Sequence, residues 1–144
     1  MKTIKQLLEG KARGREVFSI APDALVFDAL KLMAERDVGA LVVIEGGKLA
    51  GIISERDYAR KVILHGKSSH DIRVREIMTS KVFTVHPGQT VADCMALMTD
   101  KRIRHLPVTE GERLIGLLSI GDLVKEMIAD QEQTIKQLES YIHS

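Results

Sequence analysis

The chain has 144 residues, enough for about one domain, and 44% of them are hydrophobic, an ordinary share for a globular protein. Twenty-one basic residues oppose twenty acidic ones, leaving a formal charge of +1, which gives no general attraction to nucleic acid or to an anionic membrane. One cysteine, Cys94, excludes an intramolecular disulfide and any multi-cysteine metal site, and the absence of Trp, with two Tyr and three Phe, argues against a base-stacking surface.

The amino terminus, MKTIKQLLEGKARGREV, is polar and interrupted by charge, so it does not read as a secretory signal. Residues 1–11 suggest a short leading helix, within a lead-in spanning 1–16. A short strand, Val17–Ile20, then runs to Pro22, since proline cannot donate to a continuing ladder. Val26, Ala29, Leu30, Met33 and Ala34 recur at the spacing of one helical face. Two apolar strands follow, Ala40–Ile44 and Leu49–Ile53, around Glu-Gly-Gly-Lys, a hairpin signal. The stretch GIISERD, 51–57, opens the next helix, and HGKSSHDIR, 65–73, is polar and aperiodic and reads as a linker.

The same succession then repeats. Residues 17–57 align on 82–122 without a gap, with identities including Val17/Val82, Pro22/Pro87, Val26/Val91, Asp28/Asp93, Met33/Met98, Leu41/Leu106, Gly51/Gly116, Ser54/Ser119 and Asp57/Asp122. The second copy predicts a strand at Val82–Val85 and a helix with Val91, Cys94, Met95 and Met98 inward and Thr90 as N-cap. Strands at Leu106–Thr109 and Leu114–Leu118 follow. Each unit is β-α-β-β-α, and the expected fold class is α/β (α+β). The last helix runs on without glycine or proline from about Asp122 to Tyr141. Leu123, Met127, Ile128, Ile135, Leu138 and Ile142 lie along one stripe, and its end is expected to pack against another subunit. The expected organisation is repeat 1 over 17–64, linker 65–73, repeat 2 over 74–129 and a helical extension over 130–144.

Two β-α-β-β-α units, each ending Gly-h-h-Ser-x-x-Asp (h apolar), resemble a pair of cystathionine-β-synthase (CBS) domains, a Bateman module. VREIMTSKVFTVHP at 74–87 and RHLPV at 104–108 add to the resemblance. It implies two repeats packed about a pseudo-twofold axis, with clefts that bind AMP, ADP, ATP, NAD or S-adenosylmethionine. It also implies pairing into a homodimer, and the output of such a module would go to an effector protein the sequence does not name.

Ser-x-x-Asp is in the first instance a helix opening, in which serine accepts an orphan N–H and aspartate complements the dipole. The same helix start offers N–H groups to a phosphate, and an aspartate offers acceptor oxygens to ribose hydroxyls. The expected nucleotide-binding residues are therefore Ser54, Arg56, Asp57, Ser119, Gly121 and Asp122. The corners Gly39-Ala40 and Arg104-His105 and the neighbouring Pro107 join them. The resemblance sets Arg104 and His105 against the ligand of Asp57, with Arg56, and Gly39 and Ala40 against that of Asp122. The first cleft should then favour a phosphorylated adenosine.

No catalytic residue, metal site or catalytic cofactor is expected. Cys94 falls on a core face, the five histidines lack metal-ligand spacing, and no glycine-rich phosphate loop is present. No apolar run approaches the roughly 20 residues that span a bilayer, so a cytoplasmic, non-enzymatic, nucleotide-binding regulator is the expectation. A structural assembly module with empty clefts and a nucleic-acid-binding pair are the rival readings.

Overall fold

The computed structural model describes residues 2–10 and 17–143; the remainder of the expected 1–16 lead-in and the final Ser144 lie outside the described residues. The chain divides into two compact units, one formed by residues 16–83 and the other by 1–15 together with 84–144. The mixed α and β architecture expected from the sequence is present, with two β-hairpin repeats and a long final helix.

In the 16–83 unit the order is β1 (Ser19–Ile20), α2 (Val26–Arg36), β2 (Ala40–Glu45), β3 (Lys48–Ser54), α3 (Glu55–Tyr58) and α4 (Val74–Ile77), while α1 (Ile4–Gly10) belongs to the other unit. β1 runs parallel to β2, and β2 pairs antiparallel with β3 in a register from Ala40 opposite Ser54 to Glu45 opposite Lys48. Gly46 and Gly47 both take positive φ, as a tight hairpin turn with right-handed strand twist requires. The helix opened by Ser54 does not stay α-helical: after Tyr58 it widens into a π-turn over Ala59–Ile63. Val26, Ala29 and Met33 of α2 pack with Leu41, Val43 and Ile53 of the sheet, and with Val62, Ile72, Val74 and Ile77. Ala34, expected on the inward face, is exposed.

The polar stretch 65–73 is largely exposed but is tied to α2 through the carbonyls of Ser69 and Ile72. Leu25, before α2, has no capping side chain, and the chain supplies backbone acceptors instead: Val26 N–H donates to Ile72 O at 2.9 Å and Phe27 N–H to Ser69 O at 3.0 Å. Val74 and Arg75 donate in turn to Ala24 O and Pro22 O, both at 2.8 Å. A helix end left without acceptors would cost about 1–3 kcal/mol for each buried group.

The other unit contains α1 (Ile4–Gly10), α5 (Val91–Lys101), β4 (His105–Glu110), β5 (Arg113–Ser119) and α6 (Ile120–His143). Here α1 and the residues before it do for α5 what 72–78 does for α2. Val91 N–H donates to Lys2 O, while Ile4 and Lys5 donate to Gln89 O and Pro87 O. Leu8 packs over Gly116 as Met78 packs over Gly51. Lys2–Leu8 is therefore a structural counterpart of Ile72–Met78.

The expected strand at Val82–Val85 is not formed; only Val85 bridges β4, opposite Val108. The reason is one residue. In the first unit Val42 N–H donates to Phe18 O at 3.2 Å, whereas Pro107 stands at the matching place in β4 and has no N–H to give. The expected Val17–Ile20 strand is likewise shortened, to Ser19–Ile20. Thr90 caps α5 as expected, its side chain accepting from Asp93 N–H at 3.1 Å. No helix among the described residues is long and apolar enough to cross a membrane.

Candidate functional site

Each hairpin delivers its second strand into a helix at the Ser-x-x-Asp element. In the first unit Asp57 N–H donates to Ser54 Oγ at 3.1 Å, and Ser54 N–H donates to Asp57 Oδ2 at 3.0 Å, a closed capping box. In the second, Asp122 N–H donates to Ser119 Oγ at 3.2 Å and Ser119 N–H to Asp122 Oδ2 at 2.9 Å. The capping role expected of the motif is real in both copies. Losing such a cap typically costs about 1 kcal/mol.

The carboxylate of Asp57 is more heavily engaged than the sequence implied. A carboxylate presents about four lone-pair sites. At Asp57, Oδ2 takes Ser54 N–H and the Ser54 hydroxyl, the latter at 3.1 Å. Oδ1 faces Lys61 Nζ at 3.0 Å and Thr79 Oγ1 at 3.4 Å. Lys61 Nζ also donates to Ile77 O at 2.9 Å, tying the helix start to the 77–79 segment. A ribose diol therefore has to displace Lys61 and the long Thr79 contact to reach Oδ1. Lys61 and Thr79 were missed by sequence reasoning. Lys61 was findable, because a lysine four residues after an aspartate on a helix sits over it. Thr79 is brought in by the bridge between Ile52 and Thr79, which no local pattern announces.

The two starts differ. Four residues after Asp122 stands Glu126, paired with Lys2 at 3.5 Å, so the charge beside the aspartate is reversed between copies. Gly121 replaces Arg56, and a β-carbon at Gly121 would meet only Ser119 Oγ at 3.6 Å, ordinary contact; glycine is not demanded there by its surroundings.

Within each unit the corner before the middle strand sits at that unit's own helix start. Glu55 N–H donates to Gly39 O at 3.1 Å and Ala40 pairs with Ser54; Ile120 N–H donates to Arg104 O at 2.8 Å and His105 pairs with Ser119. The structure thus gathers Gly39, Ala40, Ser54, Arg56 and Asp57 in one unit, and Arg104, His105, Ser119, Gly121 and Asp122 in the other. Arg56 and Arg104 are exposed and make no ion pair among the described residues. Pro107 is buried inside β4, opposite Leu117, where its missing N–H shapes the sheet.

A cleft of about 600 Å³ in the first unit is lined by Met33, Asp37, Val38, Gly39, Glu55 and Tyr58 among others, and its two carboxylates disfavour phosphate. A second, of about 390 Å³, lies in the other unit over Lys5, Leu8, Pro87 and Arg113. Neither is lined by the motif serines or aspartates. Cys94 is fully buried, and burial, with a smaller contribution from Asp93, pushes its thiol up to about 11, the opposite of a poised nucleophile.

The CBS domain matches this sequence twice, over residues 13–64 and 74–129. A mitochondrial CBS domain-containing protein of Arabidopsis thaliana, CBSX3, is 42% identical over 147 residues, covering 97% of this chain and 71% of that protein. A solved CBS-domain protein from Burkholderia ambifaria superposes with a TM-score of 0.87 at 55% identity, over 90% of this chain and 96% of that one. The CBS domain pair of protein MJ0100, solved with 5′-methylthioadenosine and S-adenosyl-L-methionine, shares the fold at 23% identity and a TM-score of 0.78. That match covers 90% of this chain and 98% of the other. The duplicated hairpins and helix starts thus have their counterparts in known proteins, and this chain belongs to the CBS-domain family as a tandem pair.

Proposed function

We propose that the protein is a non-catalytic regulatory module that binds an adenosine-containing ligand at one or both Ser-x-x-Asp helix starts and passes its occupancy to a partner protein. The observation that carries this reading is the pair of closed capping boxes, which hold a serine and an aspartate side chain in fixed, half-buried positions at the mouths of two helices. The N–H groups of Arg56 and Gly121, which neither the capping boxes nor the Gly39 and Arg104 carbonyls engage, and the positive end of the dipole suit a phosphate, and the aspartate suits hydroxyl donors. The adenosine compounds bound by the CBS pair of MJ0100 support the ligand class.

AMP, ADP, ATP and NAD are the proposed ligands, beside S-adenosylmethionine. An AMP-sized molecule at about 0.3 kcal/mol per heavy atom would bind with a Kd of roughly ten micromolar, weak enough to follow changing metabolite levels. Arg56 is proposed to serve a phosphate at Asp57. Arg104 and His105 are proposed, from the family resemblance, to contact a bound nucleotide as well. Ligand binding regulates a partner only if two states of the module differ in affinity for the ligand.

Mass spectrometry of small molecules released from the purified protein tests the ligand class directly. Release of an adenosine compound, or its binding on addition at micromolar concentration, is the expected result. A protein that neither carries nor binds any of these five compounds at millimolar concentration would refute it and leave the assembly reading.

A further inference from the structure

We propose that α6 pairs with α6 of a second copy of this chain as an antiparallel two-stranded coiled coil. The first turns of α6 are held to their own unit by one face: Leu123 is fully buried and Glu126 pairs with Lys2. From Gln131 to His143 every residue is exposed, yet the segment is helical. A helical stretch of that length without tertiary cover is marginal in water.

A second face carries the cover it needs. Ile128, Ile135 and Ile142 recur every seven residues, interleaved with Val124, Gln131 and Leu138, also every seven. At 100° per residue all six fall within an arc of about 80°, over a length of about 27 Å. Their exposure is 40% at Val124, 51% at Ile128, 54% at Ile135, 58% at Leu138 and 75% at Ile142. A sustained 3.5-residue repeat is a coiled-coil seam rather than the broader stripe of a globular helix. The stripe is turned away from the face on which Leu123 docks, so the helix offers two separate apolar surfaces.

Charge selects the occupant. Aligning Ile128 with Leu138 of the second copy also sets Gln131 against its Ile135 and Val124 against its Ile142. The flanking positions are Lys125, Glu132 and Glu139. In this alignment Lys125 lies beside Glu139 of the second copy, twice by symmetry, against a single like-charged approach of Glu132 to itself. A parallel alignment sets the same acids against Met127 and Thr134 and forms no ion pair. The antiparallel contact is isologous and closes at two chains.

Sedimentation equilibrium of the full chain tests this. Ile135→Glu with Leu138→Glu should raise the dimer dissociation constant at least tenfold, while Lys136→Glu on the outer face leaves it within twofold. Because these side chains are more than half exposed, the thermal melt should hold the fold constant. Glu139→Lys should weaken the dimer, and adding Lys125→Glu should restore it. In a Cys94→Ala background, mild oxidation of mixed Ile128→Cys and Leu138→Cys chains should give a crosslinked dimer. A dimer indifferent to the two glutamates, a chain monomeric at all concentrations, or efficient self-crosslinking of Leu138→Cys alone would overturn the proposal.

Discussion

Gly51 and Gly116 occupy the same place in the two repeats, but adding one methyl group to each should have unequal consequences. A β-carbon on Gly51 would lie 2.7 Å from Thr79 O and 3.0 Å from Met78 Sδ. Carbon–oxygen contacts settle at roughly 3.3–3.6 Å, so the Thr79 backbone would have to retreat by about 0.6 Å. That backbone is held by two hydrogen bonds, Ile52 N–H to Thr79 O at 2.9 Å and Thr79 N–H to Ile52 O at 2.8 Å. Weakening both costs about 1–2 kcal/mol, and overpacking adds about 1–3 kcal/mol. Reduced freedom of the unfolded chain returns about 0.4–1 kcal/mol. Gly51→Ala should therefore destabilise by about 1–4 kcal/mol. At Gly116 the nearest atom is the end of the Leu8 side chain, at 2.9 Å, which can turn aside without breaking a backbone bond. Gly116→Ala should stay within about 1 kcal/mol of wild type. Urea unfolding, read as a shift in midpoint at constant slope, measures both. Equal destabilisation by the two alanines, or a neutral Gly51→Ala, would refute the reasoning.

The raised Cys94 thiol keeps its proton in the folded protein, whereas an unfolded thiol ionises near about 8.5. Its contribution to stability is whole below that pH and is lost as the pH climbs toward about 11, by about 3 kcal/mol. The stability difference between wild type and Cys94→Ala should narrow over this window; a constant difference from pH 8 to 11 would contradict the assignment. Lys61→Met should change stability by about 1 kcal/mol or less, because the lysine is close to half exposed. By freeing Asp57 Oδ1 it should tighten adenosine binding there a few-fold, and calorimetry finding weaker binding would mean that Lys61 holds the ligand instead. Arg56→Ala should weaken AMP binding about tenfold or more in an Asp122→Ala background, the worth of one hydrogen bond to a charged group. Arg104→Ala should weaken AMP binding to the otherwise unaltered protein by a similar factor.

The duplication, both hairpins, the two amphipathic helices and the serine caps were legible because each rests on short-range periodicity or turn chemistry. What escaped the sequence is long-range and made by backbone. Ile72 caps α2 and Lys2 caps α5 through carbonyls, which any residue type could supply. Lys2–Leu8 is too short to announce itself as a counterpart of Ile72–Met78, although Ile4, Leu7 and Leu8 echo Val74, Ile77 and Met78. The loss of the Val82–Val85 strand follows from Pro107, a residue read from sequence only as part of a binding signature. At the candidate site the motif residues were visible, but the saturation of Asp57 was not, since it takes Lys61 from the next turn and Thr79 from a distant segment. The shared serines and aspartates define two alike helix starts, and Lys61 against Glu126, with Arg56 against Gly121, makes them chemically different.

Isothermal titration of an adenosine ligand into wild type, Asp57→Asn, Asp122→Asn and the double variant tests the central claim most directly. Asparagine keeps a carbonyl acceptor for the capping serine N–H while removing the charge proposed to receive ribose hydroxyls. The account predicts micromolar binding to wild type, a loss of about tenfold or more at whichever helix start is occupied, and no measurable binding to the folded double variant. Undiminished binding by the double variant would place the ligand away from the Ser-x-x-Asp helix starts and contradict the account.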